Sequence, residues 1–334
     1  MFTRPLFVAA GVALGWPAGP AAAQEPSARE VAFHGYTKAI ELKLGTARAV
    51  VSPQAGGRVL SFAVGGTDAM WLDPVEKEWQ PGKAVPLTAG RFDYGPELTV
   101  APHPKAWGGD WTGEVTKENT ARLTSPRDDP GGVRVVREFR LVPHAGSVGL
   151  SCTQTLTNVG PEVREVCHWG RSFSPGGGVC VIPLGDRPSR FPARYAMYED
   201  SAVINVRDTD ANIRERDGFL EILAPPRKPK LGFDTHAGWV AYLMPNNTAF
   251  VKRFLTYPDR VYNEAAGLTL SVWYPTGPRI EIEPIGPRER LRPGESASFT
   301  EDWWLLPHPF PQPDRPTDLK ALAGQVAAKT KAPG

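Results

Sequence analysis

Arg279-Ile280-Glu281-Ile282-Glu283-Pro284 alternates polar and apolar side chains without a break. Successive side chains of a strand point to opposite faces, so Ile280 and Ile282 enter a core while Arg279, Glu281 and Glu283 share the other face. Two carboxylates and a guanidinium on one face of such a strand predict a polar concave surface. A strand face turned to solvent has the same pattern, and the segment alone does not separate the two.

Outward from this segment the chain reads as strand, turn, strand. The run 58–64 lies between Gly56-Gly57 and Gly65-Gly66. The runs 133–141 and 148–158 flank Pro143-His144-Ala145-Gly146, a hairpin connection. The runs 163–173 and 179–182 surround Pro175-Gly176-Gly177-Gly178. A strand of mixed alternation is expected over 39–51, and others over 219–223, 239–243, 249–254, 268–274 and 298–306. The chain holds 34 Gly and 35 Pro with no repeat period, which suits many short strands and tight turns and argues against a helical protein. The expected fold is all-β, a large antiparallel sandwich forming one domain over 24–306. With 41% hydrophobic residues in 334, the core can be large.

Two stretches, 72–120 and 184–218, are rich in Pro, Gly, Arg and aromatics and read as loops that close the ends of the sandwich or cover one mouth. Beyond a proline-rich link (307–316), Thr317 reads as the N-cap of a short helix over 318–329, expected to be a loosely attached tail. At the other end, Arg4, the apolar stretch 6–16 and Ala21-Ala22-Ala23 predict a signal peptide over 1–23. The apolar stretch is short of the ~20 residues that span a bilayer. The expected location is therefore periplasmic or secreted, with no membrane association after cleavage. In that compartment Cys152, Cys167 and Cys180 allow one disulfide, while their apolar strand-like surroundings suit buried free thiols equally well.

Charged residues make up 22% and the net charge is +2, so nothing calls for a nucleic acid partner. No pair of histidines has zinc-helix spacing, no Cys-x-x-Cys occurs, and no nucleophile elbow or phosphate loop is present; neither a metal nor a cofactor is expected. Carboxylate and imidazole chemistry remain.

Two further segments carry candidates. In Val163–Phe173, His168, Trp169 and Arg171 fall close together on one strand. In 90–111, Arg91, Asp93, Glu97, His103, Trp107, Asp110 and Trp111 fall in a glycine-rich region. Aromatic faces stack on sugar rings, and charged side chains hydrogen-bond hydroxyls, so this set suits a carbohydrate ligand. The two Trp residues could equally fill the core beneath a long loop.

Three segments in order resemble the galactose mutarotase-like (aldose epimerase) superfamily, in particular an exported bacterial branch. They are Gln54-Ala55-Gly56-Gly57-Arg58-Val59-Leu60-Ser61-Phe62, Thr157-Asn158 followed by His168-Trp169, and Glu283-Pro284. The resemblance covers most of 38–306. It implies a β-supersandwich, with Glu283 as the general base that takes the anomeric proton and His168 as the acid that protonates the ring oxygen. Arg91, Asp93, Glu97, His103, Trp107, Asp110, Trp111, Arg171 and Glu281 then bind the sugar. The family's second histidine is unmatched, since His103 lies in Ala101-Pro102-His103-Pro104. Two functions follow: anomer interconversion by acid/base ring opening, or non-catalytic carbohydrate binding in the same groove.

Overall fold

The computed structural model describes residues 25–84, 88–127, 130–199, 203–205 and 209–334. The expected signal segment lies outside them. Two antiparallel sheets, of 13 and 10 strands among the described residues, pack on one another. In the first sheet the strands Arg58–Val64, Gly90–Gly95, Arg164–Pro175, Arg279–Pro284, Leu270–Trp273, Lys230–Phe233 and Ala196–Glu199 follow as neighbours. In the second, Thr248–Phe254, Ser296–Pro307, Ser147–Asn158 and Val133–His144 do so.

Residue alternation explains why the sheets meet. In Val133–His144, Val133, Val135, Phe139 and Leu141 point into the space between the sheets and are buried, with their neighbours turned outward. Arg137 occupies the remaining inward position. Burial pushes its guanidinium down to about 9, yet it is well partnered. It donates to Gln154 Oε1 at 2.8 Å, to the Phe92 carbonyl at 2.8 Å and to the carbonyls of Gly56 and Gly57. The hairpin to Ser147–Asn158 turns at Ala145 and Gly146, both left-handed, as the sequence suggested.

Several expectations change. The run 39–51 is a hairpin of two strands, Tyr36–Leu44 and Ala47–Ser52, because Gly45 takes a left-handed turn. The stretch 72–120 is not all loop: Gly90–Gly95 inserts into the middle of the first sheet. The last helix is Leu319–Lys329, and its cap is Asp318, which accepts from the Ala321 amide at 2.9 Å, not Thr317. Nor is it loose, since Leu319, Leu322 and Val326 are buried with Val181, Val251 and Trp304 of the second sheet. All three cysteines are buried free thiols.

Candidate functional site

The face of the first sheet turned away from the second carries a groove of about 690 Å³. Pairing sets its contents. Arg91 lies opposite Arg171, Asp93 opposite Trp169, and Phe173 opposite Glu281, so these side chains project from one face of three adjacent strands. Lys230 and Trp273, themselves paired, and Tyr198 extend it across the next strands. Phe173, Trp273 and Tyr198 supply aromatic walls, and Glu97 stands at the rim.

Arg171 is the hub. Its guanidinium lies 3.1 Å from Glu281, 3.4 Å from Asp93, 3.6 Å from Glu97 and 3.9 Å from Glu283, and it stacks on Trp107 and Trp169. Burial would lower its basicity, but the carboxylates outweigh that and raise it. Arg91 donates to the same Glu281 oxygen at 2.6 Å and stacks on Trp107 and Phe173. Burial alone would raise the Glu281 carboxyl; Arg171, Arg91 and Lys230 hold it low, at about 2. Glu281 is therefore a fixed anion.

Glu283, one alternation further on, behaves differently. It is fully buried, and both its oxygens take the Lys230 ammonium, at 2.6 and 2.7 Å. Burial, reinforced by the Glu281 charge, keeps its carboxyl above the ordinary range even with Lys230 beside it. Nearby Glu264, also buried, accepts the Glu97 amide at 2.9 Å. Burial and the Glu97 charge push its carboxyl up to about 7. Glu281 and Glu283 thus share one strand face, yet their surroundings drive their acidities apart.

Comparison with solved structures adds the fold. A galactose mutarotase-like protein from Lactobacillus casei superposes with a TM-score of 0.55 at 12% identity, covering 80% of this chain and 100% of that one. A galactose mutarotase-like protein from Clostridium acetobutylicum gives 0.53 at 12%, covering 84% and 99%. A galactose mutarotase related enzyme from Lactobacillus acidophilus gives 0.53 at 12%, covering 81% and 99%. The chain has the galactose mutarotase-like fold. No protein-family model matches the sequence, and no curated protein matches it.

Within this mutarotase-like fold the expected residues separate. Glu283, Glu281, Arg91, Asp93, Glu97 and Arg171 come together in and beneath the groove. His103 supports them: its Nε2 lies 2.7 Å from Asp93 Oδ1 and its Nδ1 lies 2.9 Å from the Ala101 carbonyl. Both ring nitrogens therefore face oxygen atoms, which fixes the ring beside Asp93. Trp107 is the platform under Arg91 and Arg171.

Three expectations fail. His168 does not face Glu283. It points between the sheets, where Nε2 lies 3.2 Å from the Ala297 carbonyl and the ring stacks on Phe299, and burial depresses its basicity to about 4. Trp111 is core: it is buried, packs over Arg137, and leaves no room for a Cβ at Gly57. Asp110 is exposed and lines a smaller hollow with Gln54, Trp79 and Lys83, outside the groove.

Gly170 shows how the strand is seated. A Cβ there would lie 1.7 Å from Glu301 Oε1 of the second sheet. Glu301 pairs with Lys252 at 3.0 Å, and Lys252 donates to the Ile282 carbonyl at 2.9 Å, on the back of the site strand. A buried ion pair thus supports the groove floor from behind. Lys230, Tyr198, Trp273 and Glu264 escaped the sequence reading, because no motif marks them and only strand order brings them here. Among the described residues no group of three or more His, Cys, Asp or Glu is arranged to hold a metal ion.

Proposed function

We propose that the groove binds a carbohydrate. The observation that carries this reading is the pairing of aromatic walls (Phe173, Trp273, Tyr198) with a fixed ring of hydrogen-bonding charges (Arg91, Arg171, Glu281, Lys230) inside one cavity of sugar size. Apolar ring faces stack on the first set, and hydroxyls bond to the second, whose geometry is set before the ligand arrives. The names of the similar structures point the same way. Isothermal titration of a sugar panel tests it: a bound sugar, weakened at least tenfold by Arg171→Lys, supports the reading, and no binding by any sugar ends it.

A second reading, acid/base interconversion of anomers, is favoured by Glu283 and Glu264: burial weakens both as acids, and it brings Glu264 to about 7, where proton transfer near neutrality is efficient. Glu283 remains the base. The acid is not His168 but Glu264, whose carboxylate accepts the amide of Glu97, a residue of the groove lining, at 2.9 Å. Anomer exchange followed by NMR separates the readings. Acceleration lost in Glu283→Gln and in Glu264→Gln supports catalysis; binding without acceleration leaves a binding protein.

A further inference from the structure

Among the described residues, every cation lining the groove is engaged with an anion or other polar partner except one. Arg91 and Arg171 bond Glu281, Lys230 bonds Glu283, and Lys228 has a partner of its own. Arg279 lines the same cavity, and its side chain has neither a hydrogen bond nor an ion pair with any described residue; its Nε is buried and unpartnered. Its guanidinium is held instead by three rings, Trp71 at 4.9 Å, Trp273 at 5.4 Å and Phe173 at 5.6 Å.

A guanidinium that faces a cavity with no anion beside it, and that is clamped between aromatic faces, has already lost much of its freedom and presents a planar fork. Such a group is built to take an anion that arrives with the ligand. The anion is best singly charged and planar: one unengaged cation balances one charge, and a carboxylate accepts two parallel bonds from the fork. A phosphate dianion would want further cations, and the neighbouring ones are occupied. Asp73 and Glu97 on the same lining would also repel a second negative charge.

We infer that the ligand is an acidic sugar, a uronate, whose carboxylate pairs with Arg279 while its ring lies against Trp273 and Phe173. This rests on the carbohydrate reading above and narrows it.

Titration of the full chain tests it, with glucuronate, galacturonate, their parent hexoses, their methyl esters and the hexose 6-phosphates as ligands. At least one uronate should bind tenfold or more tighter than its hexose and than its own methyl ester, and the difference should shrink as salt is raised. In Arg279→Gln the uronate should fall to the hexose level while hexose affinity stays within twofold. The methyl ester comparison needs no variant, so a folding defect in Arg279→Gln cannot rescue the idea. Equal binding of uronate and hexose, tighter binding of the 6-phosphate, or an unchanged preference in Arg279→Gln overturns the inference and leaves the carbohydrate reading standing. If no sugar of any charge binds, that reading falls and this one with it.

Discussion

The Lys230 ammonium closes over Glu283, reaching its two oxygens at 2.6 and 2.7 Å from a strand two places across the sheet. The partners are unequal: the Glu283 side chain is fully buried, while that of Lys230 keeps 16% of its surface exposed.

Removing either partner should therefore cost different amounts. Lys230→Met leaves the fully buried Glu283 carboxylate only Arg171, at 3.9 Å, and breaking a buried pair in this way costs about 3–5 kcal/mol. Glu283→Gln leaves an ammonium that still has an amide oxygen and partial access to solvent, and should cost no more than about 1.5 kcal/mol. The double variant should be less destabilised than the sum of the two. Urea unfolding of all four proteins measures the cycle; equal costs for the two single variants would contradict the assigned asymmetry.

Arg171→Lys is not a conservative change here. Lysine cannot reach four carboxylates from one planar group, nor stack flat between Trp107 and Trp169. Glu281 would keep Arg91 but lose its second donor. The expected loss is about 1–3 kcal/mol of unfolding free energy. The Glu281 carboxyl should also rise from its low value, which carbon NMR of the labelled side chain would follow.

Which parts of this were legible beforehand follows from strand geometry. Alternation divided 279–284 correctly, with Ile280 and Ile282 in the core and Glu281 and Glu283 together on the other face. Applied to 164–175, the same rule sets His168, Gly170 and Ser172 against Trp169, Arg171 and Phe173, whereas the sequence reading groups His168 with Trp169 and Arg171 in one site; the rule alone does not say which set faces the groove. Both sets are largely buried, so polarity gives no direction. The deciding fact is that the second sheet brings Glu301 against Gly170 and Phe299 against His168. Trp111 was ambiguous for the same reason, since its partner Arg137 lies on a strand 26 positions away and only the packing of the two sheets joins them. Lys230 and Tyr198 enter through strand order, which local sequence does not encode.

Glu264 should make the protein lose stability as pH rises toward neutrality. Its carboxyl shifts from an ordinary value of 4.5 to about 7 in the folded chain. Between those values the folded state holds a proton that the unfolded state has released, so its contribution is complete below 4.5 and is lost as pH climbs through 7. A shift of that size is worth on the order of 3 kcal/mol at most. Glu264→Gln keeps an acceptor for the Glu97 amide and removes the titration. Its stability should therefore fall less steeply than the wild type between pH 4.5 and 7, and a difference curve that is flat across that window would refute the assignment.

His168 acts with the opposite sign. Burial lowers its basicity from 6.5 to about 4, so the folded state refuses a proton that the unfolded chain accepts below 6.5. Its contribution is present above 6.5 and is lost as pH falls through 4, again on the order of 3 kcal/mol at most. His168→Gln should abolish that part of the acid sensitivity. Because the imidazole lies between the sheets against Phe299 and the Ala297 carbonyl, the same variant should leave sugar affinity in the groove within about twofold, below the ~1.4 kcal/mol that a tenfold change requires. Unfolding scans from pH 4 to 8 and a sugar titration at pH 7 measure the two effects separately. A variant that kept its acid sensitivity but lost sugar affinity tenfold would return His168 to the groove and remove the reason for seeking another acid.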